Sequence, residues 1–324
     1  MDYLPIIQEP IQEELACFVN MFNDSLTHSD GLLNHALNHI LSRGGKRMRP
    51  ILVLLTAKNF GTINQSTFNA AIGVELLHTA SLVHDDVVDE SRERRGQSSV
   101  NEIYNNKVAV LVGDYLLSTS LLHVSKTHQQ KIFQLVAELG RTLSSGEILQ
   151  LTNHQDSGLS EDIYYQVINQ KTASLFEKCS AVGAISVGAS EENVNASAEF
   201  GNKIGMIFQI RDDIFDYYDS KAIGKPTGND MAEGKLTLPI IYALRKSNDS
   251  SMKSLAKKVK EGTINTDEIE VLVDFAKSNG GIEYAEQIMN SMAAEAKVFI
   301  ESFIKPELRR AFNSYLDYVI QRSN

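Results

Sequence analysis

Apolar residues recur at helical spacing along almost the whole chain, and no segment shows the period-two alternation that is typical of a strand. The stripe Ile11, Leu15, Phe18 and Phe22 follows Pro10, a favoured residue in the first turn of a helix. The same reasoning predicts helices over residues 30–42, 50–61, 67–90, 101–125, 129–152, 160–189 and 192–218, and four or five more between 238 and 322. The pattern therefore predicts an all-α protein.

Two breaks in the helical pattern carry charge. Gly44 and Gly45 end one predicted helix, and a basic turn, Lys46 to Arg49, leads into Pro50 at the start of the next. The second break, residues 219–239, is a long loop with three glycines and three lysines, of the kind that forms lids or disordered segments. The length of 324 residues would allow two domains, but no linker or repeat interrupts the pattern. We therefore predict a single domain over residues 1–324.

Composition narrows the classes of partner. A formal charge of −10 argues against nucleic acid, because binding there depends on neutralising phosphates. Cys17 and Cys179 lie too far apart in sequence to suggest a zinc site or a disulfide framework, which favours a reducing, cytoplasmic location. The N-terminus lacks the pattern of a secretory signal, and the longest apolar run, residues 108–122, is interrupted by Asp114. No transmembrane segment is predicted.

Three carboxylates, Asp85, Asp86 and Asp89, close one of the long helical segments. Residues i and i+4 share a helix face, so Asp85 and Asp89 can point at one spot. Anions crowded on one face repel one another, and burying them is costly without a cation. A single DDxxD run is more often an acidic helix end in water, but this chain has a second copy, formed by Asp212, Asp213 and Asp216.

Two such motifs favour a site for magnesium and phosphate. Sites with only oxygen ligands suit Mg²⁺, whose coordination is commonly completed by substrate phosphates. The economical arrangement is two helices that face each other across a cavity and bind Mg²⁺ ions sharing one polyphosphate. A diphosphate bridged by metal ions becomes a good leaving group. The sequence therefore predicts metal-assisted cleavage of a carbon–oxygen bond.

Basic residues near both motifs would complete an anion site. One cluster surrounds Lys46 and Arg49, and another contains Arg94 and Arg95. Arginine binds phosphate oxygens in a bidentate manner, whereas lysine supplies a point charge, so two clusters suit two phosphorylated substrates. Solvated surface charges are the alternative for either cluster alone. His78, seven residues before Asp85, is either a structural histidine or a hydrogen-bond donor or cation beside a phosphate.

These motifs, in this order, resemble the trans-type isoprenyl diphosphate synthases, also called polyprenyl synthetases. The resemblance runs from Gly44-Gly45-Lys46-Arg47-Met48-Arg49-Pro50 to Gly234-Lys235-Leu236-Thr237-Leu238-Pro239. Within this family, the run from His78 to Asp86 is most similar to the long-chain enzymes that make quinone side chains. The resemblance implies a bundle of long antiparallel helices around a central cavity, usually as a homodimer. It also implies the addition of isopentenyl diphosphate to an allylic diphosphate with trans geometry, followed by proton loss in which the departing diphosphate serves as base.

The resemblance also implies roles for individual residues. Mg²⁺ would be bound by Asp85, Asp89 and Asp212, supported by Asp86, Asp213 and Asp216. Isopentenyl diphosphate would be held by Lys46, Arg49, His78 and Arg95. The allylic diphosphate would be held by Arg94, Lys171, Thr172, Gln209, Lys225 and Lys235. One departure is Arg211, where the family commonly has an apolar residue; neighbours in sequence do not share a helix face, so we expect its side chain to point away from the metal.

Other readings compete with this one. A class I terpene cyclase would ionise a similar substrate, but such cyclases usually lack a second DDxxD motif and the basic turn. A non-catalytic subunit of a heteromeric prenyltransferase would commonly lack one of the aspartate motifs, and both are intact here. A synthase with a shorter product, geranylgeranyl diphosphate, is the alternative within the family.

Product length depends on the helix before Asp85, which forms one wall of the tunnel for the growing chain. One turn back, about 5.4 Å along the helix axis, lie Ala80 and Ser81, both too small to block a tunnel. We therefore expect a product longer than three isoprene units, with Leu77 or residues of other helices setting the limit.

Substituting phenylalanine at Ala80 or Ser81 should shorten the product, because an aromatic ring there would plug the tunnel. Product lengths from radiolabelled isopentenyl diphosphate measure this directly. An unchanged product distribution would show that this helix is not the tunnel wall.

Overall fold

The protein is described from a computed structural model, over residues 2–29, 31–42, 44–94, 96–153, 160–218, 227–247 and 249–322. Helices form almost all of its secondary structure. The first eight are α1 (Leu4–Gln8), α2 (Gln12–Ser25), α3 (Gly31–Ser42), α4 (Met48–Phe60), α5 (Gln65–Val88), α6 (Val100–Ile103), α7 (Asn106–Ser125) and α8 (Gln130–Asn153). The others are α9 (Glu161–Ile168), α10 (Ser174–Ser186), α11 (Glu191–Phe215), α12 (Asn229–Ala232), α13 (Leu238–Ser247), α14 (Ser250–Lys260), α15 (Thr266–Ser278), α16 (Gly281–Phe303) and α17 (Pro306–Gln321). The prediction of an all-α fold is confirmed.

The chain divides into two compact units, so the prediction of a single domain stays a prediction. The first unit comprises Met1–Arg141, Leu175–Gly201 and Phe299–Tyr315. The second comprises Thr142–Ser174, Asn202–Val298 and Leu316–Asn324.

The first unit is built around α5, which packs along α7. Its N-terminus is fixed by a capping box, in which the Asn64 side chain accepts from the backbone of Thr67 and the Thr67 side chain accepts from Asn64. Close approach to α7 depends on glycine, since a Cβ at Gly73 would lie 2.4 Å from Val124. The middle of α5 is buried on several faces, as expected for a central helix.

Helix α4 begins two residues earlier than predicted, at Met48 rather than at Pro50. Its N-cap, Arg47, has a φ of 51°, a left-handed conformation that is uncommon for a residue other than glycine. Gly44 and Gly45, with φ values of 59° and 154°, end the preceding segment. The basic turn therefore contains one left-handed, strained residue immediately before α4.

Other predicted boundaries also shift. The helix expected to start at Pro10 begins at Gln12, because Pro10 lies in a short 3₁₀ turn, Glu9–Ile11. The segment expected to be continuous from 101 to 125 breaks at Asn105, whose φ is 121°, so that α6 and α7 are separate. A two-residue antiparallel ladder, β1 (Glu93–Arg94) with β2 (Gln97–Ser98), was not predicted.

The second unit contains α9, the end of α11 and α12 to α15. A π-helical segment, Asn169–Ala173, follows α9 and interrupts the long helix predicted over residues 160–189. Such segments are rare and occur frequently at functional sites. Helix α13 packs against α15, and Gly281 lets the start of α16 approach α13, since a Cβ there would lie 2.3 Å from the Pro239 carbonyl oxygen.

Of the described residues, only Asn106–Ser125 forms a helix long and apolar enough to cross a membrane by length and composition. It packs against α5, with Gly113 so close to His84 that a Cβ would lie 2.2 Å from the imidazole. A core helix passes the same test, so α7 alone does not establish a membrane span.

Gly183 and Gly140 form a matched pair for testing helix packing in the first unit. A Cβ at Gly183 would lie 2.5 Å from the Val53 carbonyl oxygen, whereas at Gly140 the nearest atom is a Leu77 methyl at 3.6 Å. Gly183→Ala should lower the free energy of unfolding by about 2 kcal/mol through overpacking. Gly140→Ala should raise it by about 0.5 to 1 kcal/mol through helix propensity.

Urea denaturation of both variants measures these changes. A Gly183→Ala protein at least as stable as the wild type would show that α10 does not pack tightly on α4.

Candidate active site

The first aspartate motif lies at the C-terminal end of α5. Asp85 is half-buried within the helix, and Asp89 is the exposed residue that follows its last turn. The Asp89 backbone N–H still donates to the Asp85 carbonyl at 2.8 Å, so the i, i+4 relation of the motif is retained. Asp85 and Asp89 therefore occupy neighbouring positions with access to solvent.

Asp86 has a different environment from its two neighbours. It is fully buried, and Arg94 Nε donates to its Oδ1 at 2.5 Å. This charge-assisted bond ties the loop after α5 back to the helix end. Arg94 was predicted to hold diphosphate. The bond to Asp86 uses only its Nε–H and none of its other N–H groups, and its side chain is 27% exposed.

A small cavity in the first unit gathers residues of the basic turn and of α5. Arg47, Glu75, His78 and Arg94 are among its lining side chains. Arg47 pairs with the mostly buried Glu75 at 3.1 Å, and its guanidinium lies 4.5 Å from the centre of the Phe22 ring. The sequence analysis assigned no role to Arg47 or Glu75. The spacing of Glu75 and His78, i and i+3 on one helix, was the signal that could have linked them.

Two other residues predicted for isopentenyl diphosphate, Lys46 and Arg49, belong to this turn. Lys46 is exposed, and the half-buried Arg49 lies 4.9 Å from the centre of the Phe176 ring. Arg95 lies outside the described residues.

The residues predicted to control chain length line successive turns of α5. Leu77 and Ala80 are buried, at 5% and 2% exposure. Ser81 is half-buried, and its hydroxyl donates to the His78 carbonyl at 2.9 Å. A Cβ at Gly140 in α8 would have a Leu77 methyl carbon, 3.6 Å away, as its nearest neighbour.

The second motif ends α11. Asp212 forms an ion pair with Arg322, whose guanidinium also stacks on the Phe208 ring at 3.5 Å. Arg211 lies over the Phe215 ring, 4.3 Å from its centre. Arg211, where the chain departs from the family pattern, thus packs its side chain on an aromatic ring one helical turn later.

Asp213 is buried and held by two donors. Tyr164 donates its hydroxyl to Oδ2 at 2.6 Å, and Gln209 Nε2 donates to Oδ1 at 2.9 Å. The Gln209 carbonyl oxygen in turn accepts from the Thr172 hydroxyl at 2.8 Å. Three residues predicted from the sequence, Thr172, Gln209 and Asp213, are therefore brought together, and Tyr164 was missed.

Asp216 lies just past α11 and fixes the start of α12. Its two carboxylate oxygens accept from the backbone N–H groups of Asn229 at 2.9 Å and Asp230 at 3.1 Å. Gly228, with a φ of 77°, makes the turn that allows this contact. Asp230 was also missed, although a carboxylate between glycines in a lysine-bearing loop was a signal for it.

Lys171 projects from the π-helical segment. Its ammonium pairs with Glu147 at 2.6 Å and donates to Gln150 at 2.9 Å, both on α8. A Cβ at Gly146 would lie 2.8 Å from Gln170, so α8 and the π-helical segment approach closely only because position 146 is glycine.

A cavity of about 220 Å³ lies within the second unit. Its lining includes the polar side chains of Tyr164, Lys171, Thr172, Gln209, Asp213, Asp230, Lys235 and Lys260. Lys235 also pairs with Glu233 at 2.6 Å. Lys225 lies outside the described residues. The cavity therefore combines a cationic wall with buried carboxylates, and it joins five of the predicted residues, Lys171, Thr172, Gln209, Asp213 and Lys235.

The carboxylates of this cavity need positive charge. Burial and the neighbouring Asp230 raise the pKa of Asp213, and burial and the neighbouring Asp216 raise the pKa of Asp230. Among the described residues no three acidic, imidazole or thiol side chains are already arranged to bind one ion. The donor set itself, carboxylate oxygens crowded near one another, fits a hard divalent cation.

Comparison with known proteins supports one class of enzyme. The sequence pattern of the family described as Polyprenyl synthetase matches residues 30–275. The octaprenyl diphosphate synthase of Escherichia coli (strain K12) is 30% identical over 317 residues, which cover 98% of each chain. The all-trans-nonaprenyl-diphosphate synthase (geranyl-diphosphate specific) of Rhodobacter capsulatus is 32% identical over 313 residues, covering 96% of this chain and 95% of the relative.

Solved structures agree in fold. The geranylgeranyl pyrophosphate synthase from Bacteroides thetaiotaomicron has 46% identity and a TM-score of 0.88, covering 99% of this chain and 100% of that one. A decaprenyl diphosphate synthase from Rhodobacter capsulatus has 34% identity and a TM-score of 0.91, covering 98% of both chains. The protein is thus a prenyltransferase of the all-α isoprenoid synthase type. The chain belongs to the polyprenyl synthetase family.

Asp86 and Asp89 provide a matched test of which aspartate of the motif stabilises the fold. Asp86→Ala should lower the free energy of unfolding by about 2 kcal/mol, since it removes a charge-assisted bond and leaves Arg94 without this partner. Asp89→Ala, at an exposed position, should change it by less than about 0.5 kcal/mol. Equal losses of stability in urea denaturation would contradict the assignment of Asp86 as the residue that holds the loop.

Proposed function

We propose that this chain condenses isopentenyl diphosphate with an allylic diphosphate, in trans geometry and with Mg²⁺, to give a polyprenyl diphosphate longer than farnesyl. The observation that carries the proposal is the cavity of the second unit, where lysines, a glutamine and buried carboxylates line one space. Family membership supports the same chemistry. The product would serve as a quinone side chain.

The allylic diphosphate is assigned to this cavity. Lys171 and Lys235 supply positive charge, and each already pairs with a glutamate that fixes its ammonium. Gln209 uses one amide N–H on Asp213 and keeps a second for a phosphate oxygen. Thr172 lines the same cavity. Arg94 and Lys225 are proposed as further ligands on the resemblance in sequence alone.

Isopentenyl diphosphate is assigned to the basic turn and α5. Lys46, Arg49, His78 and Arg95 are the proposed ligands. The assignment is supported by the anchoring of the turn through the ion pair of Arg47 with Glu75, one helical turn from His78. A turn held in this way keeps its cations in place without the substrate.

Asp85, Asp89 and Asp212 are the proposed magnesium ligands, and bound Mg²⁺ would neutralise the diphosphate leaving group. Asp86, Asp213 and Asp216 are not proposed as metal ligands; their contacts with the protein support the residues that are. Each has its carboxylate held by named donors: Arg94 for Asp86, Tyr164 and Gln209 for Asp213, and the α12 backbone for Asp216. Such contacts fix the chain around the carboxylates that bind metal.

A product longer than farnesyl is supported by the names of the relatives, which make octaprenyl, nonaprenyl and decaprenyl diphosphates. The small side chains of Ala80 and Ser81 are consistent with a long tunnel. Geranylgeranyl diphosphate is the second candidate product, because the structure from Bacteroides thetaiotaomicron with 46% identity is a geranylgeranyl pyrophosphate synthase.

A homodimer in the cytoplasm is also proposed. Helix α7 leaves Leu111 and Leu122 exposed, at 67% and 62%, although apolar side chains of this size favour burial. A second copy of the chain would cover them. Cys17 and Cys179 are both free thiols, as expected in a reducing compartment.

Product analysis with isopentenyl diphosphate and farnesyl diphosphate tests the function. We expect products longer than farnesyl with Mg²⁺ and none without it. Asp85→Ala and Asp212→Ala should each lower turnover by orders of magnitude, about 100-fold or more, because charge on the leaving group is no longer neutralised. Turnover near the wild-type rate in both variants would contradict the metal assignment. A wild-type protein that consumes no isopentenyl diphosphate with any allylic primer would favour a non-catalytic subunit.

A further inference from the structure

The cavity of the second unit contains a chain of three hydrogen bonds that ends on a tyrosine with no assigned role. It runs from the Thr172 hydroxyl to the Gln209 carbonyl oxygen at 2.8 Å, then from the Gln209 amide to Asp213 Oδ1 at 2.9 Å. Tyr164 donates to Asp213 Oδ2 at 2.6 Å, a short hydrogen bond for an O–H donor. All four side chains line the cavity.

We propose that Tyr164 is a positioning residue of the allylic diphosphate site, which orients Gln209 and Thr172 by fixing the carboxylate of Asp213. This inference rests on the proposed function, because that function assigns the allylic diphosphate to this cavity.

The direction of the chain follows from the donor inventory. Asp213 Oδ1 accepts from the NH₂ end of Gln209, which turns the carbonyl end of Gln209 toward the Thr172 hydroxyl. Tyr164 occupies the other oxygen of Asp213, which prevents the carboxylate from rotating away from Gln209. Without the phenol, Asp213 would have one fewer donor and the orientation of Gln209 would be less strongly defined.

Burial makes the contribution of Tyr164 hard to replace. Tyr164 is 7% exposed and Asp213 is 3% exposed, so water has little access to the bond between them. Burial and the adjacent Asp213 raise the pKa of Tyr164 well above its ordinary value, which keeps the hydroxyl protonated as a donor.

The position of Tyr164 in the sequence suits this role. It lies in the first turn of α9, whose N-terminus is capped by the Ser160 side chain, and α9 leads directly into the π-helical segment with Lys171 and Thr172. The bond to Asp213 on α11 therefore ties the start of α9 to the second aspartate motif, and Thr172 ties its far end to the same helix through Gln209.

The neighbouring Tyr165 offers a matched control. Its ring contacts Tyr164 edge-on at 5.4 Å, and its electrostatic partners are Tyr284 and Glu161 rather than Asp213. Tyr165→Phe removes a hydroxyl group from the same turn of α9 without changing the three hydrogen bonds that join Thr172, Gln209, Asp213 and Tyr164.

Calorimetric binding of farnesyl diphosphate with Mg²⁺, in the absence of isopentenyl diphosphate, tests the inference without turnover. Tyr164→Phe should weaken binding about tenfold, as loss of a supporting partner commonly does, and Tyr165→Phe should leave it within about twofold of the wild type. In steady-state assays Tyr164→Phe should raise KM for the allylic substrate and leave KM for isopentenyl diphosphate unchanged. Equal affinities in the Tyr164→Phe and Tyr165→Phe proteins would overturn the inference.

Two further outcomes are distinguishable. If the wild type neither binds nor elongates farnesyl diphosphate, the proposed function itself fails. If Tyr164→Phe does not fold, a double-mutant cycle between Thr172→Val and Gln209→Ala measures the same chain: coupled losses of affinity support it, and additive losses overturn it.

Discussion

Carboxylates that lie out of water at the end of α11 are the constraint on which the second unit depends. Asp213 is buried, and burial together with the nearby Asp230 raises its pKa. A group of this kind is tolerated only when donors or cations compensate for lost hydration. Tyr164 and Gln209 supply donors to Asp213, and Asp216 is held by the first backbone N–H groups of α12.

Local structure around these carboxylates follows from the same requirement. The π-helical segment sets Thr172 where it reaches Gln209, and it sets Lys171 where α8 can hold its ammonium through Glu147. Gly146 is the residue that allows α8 to come this close. In the first unit the buried Asp86 accepts a hydrogen bond from Arg94, and the motif's other aspartates stay accessible.

Sequence reasoning predicted the fold class and the two aspartate motifs because both depend on local spacing. Apolar periodicity of 3.6 survives in any well-packed helix, and the i, i+4 relation of Asp85 and Asp89 holds even though α5 ends between them. Tyr164, Glu75 and Arg47 were not found, because their partners lie 28 to 49 residues away and pairing over such distances depends on the tertiary fold. The helix starts at Pro10 and Pro50 were wrong, since proline is also accepted in a 3₁₀ turn and at the third position of a helix.

The central claim is that the second unit receives a cation together with diphosphate, at Asp212 and beside the charge of the neighbouring Asp230. Thermal unfolding of the full chain, with and without Mg²⁺ and inorganic diphosphate, measures this in the absence of catalysis. We expect Mg²⁺ and diphosphate together to raise Tm more than either alone. Asp230→Asn should be at least as stable as the wild type in metal-free buffer, because repulsion is relieved, and should lose most of the stabilisation by Mg²⁺ and diphosphate. A variant that is less stable without metal, yet stabilised like the wild type when both are added, would contradict the account.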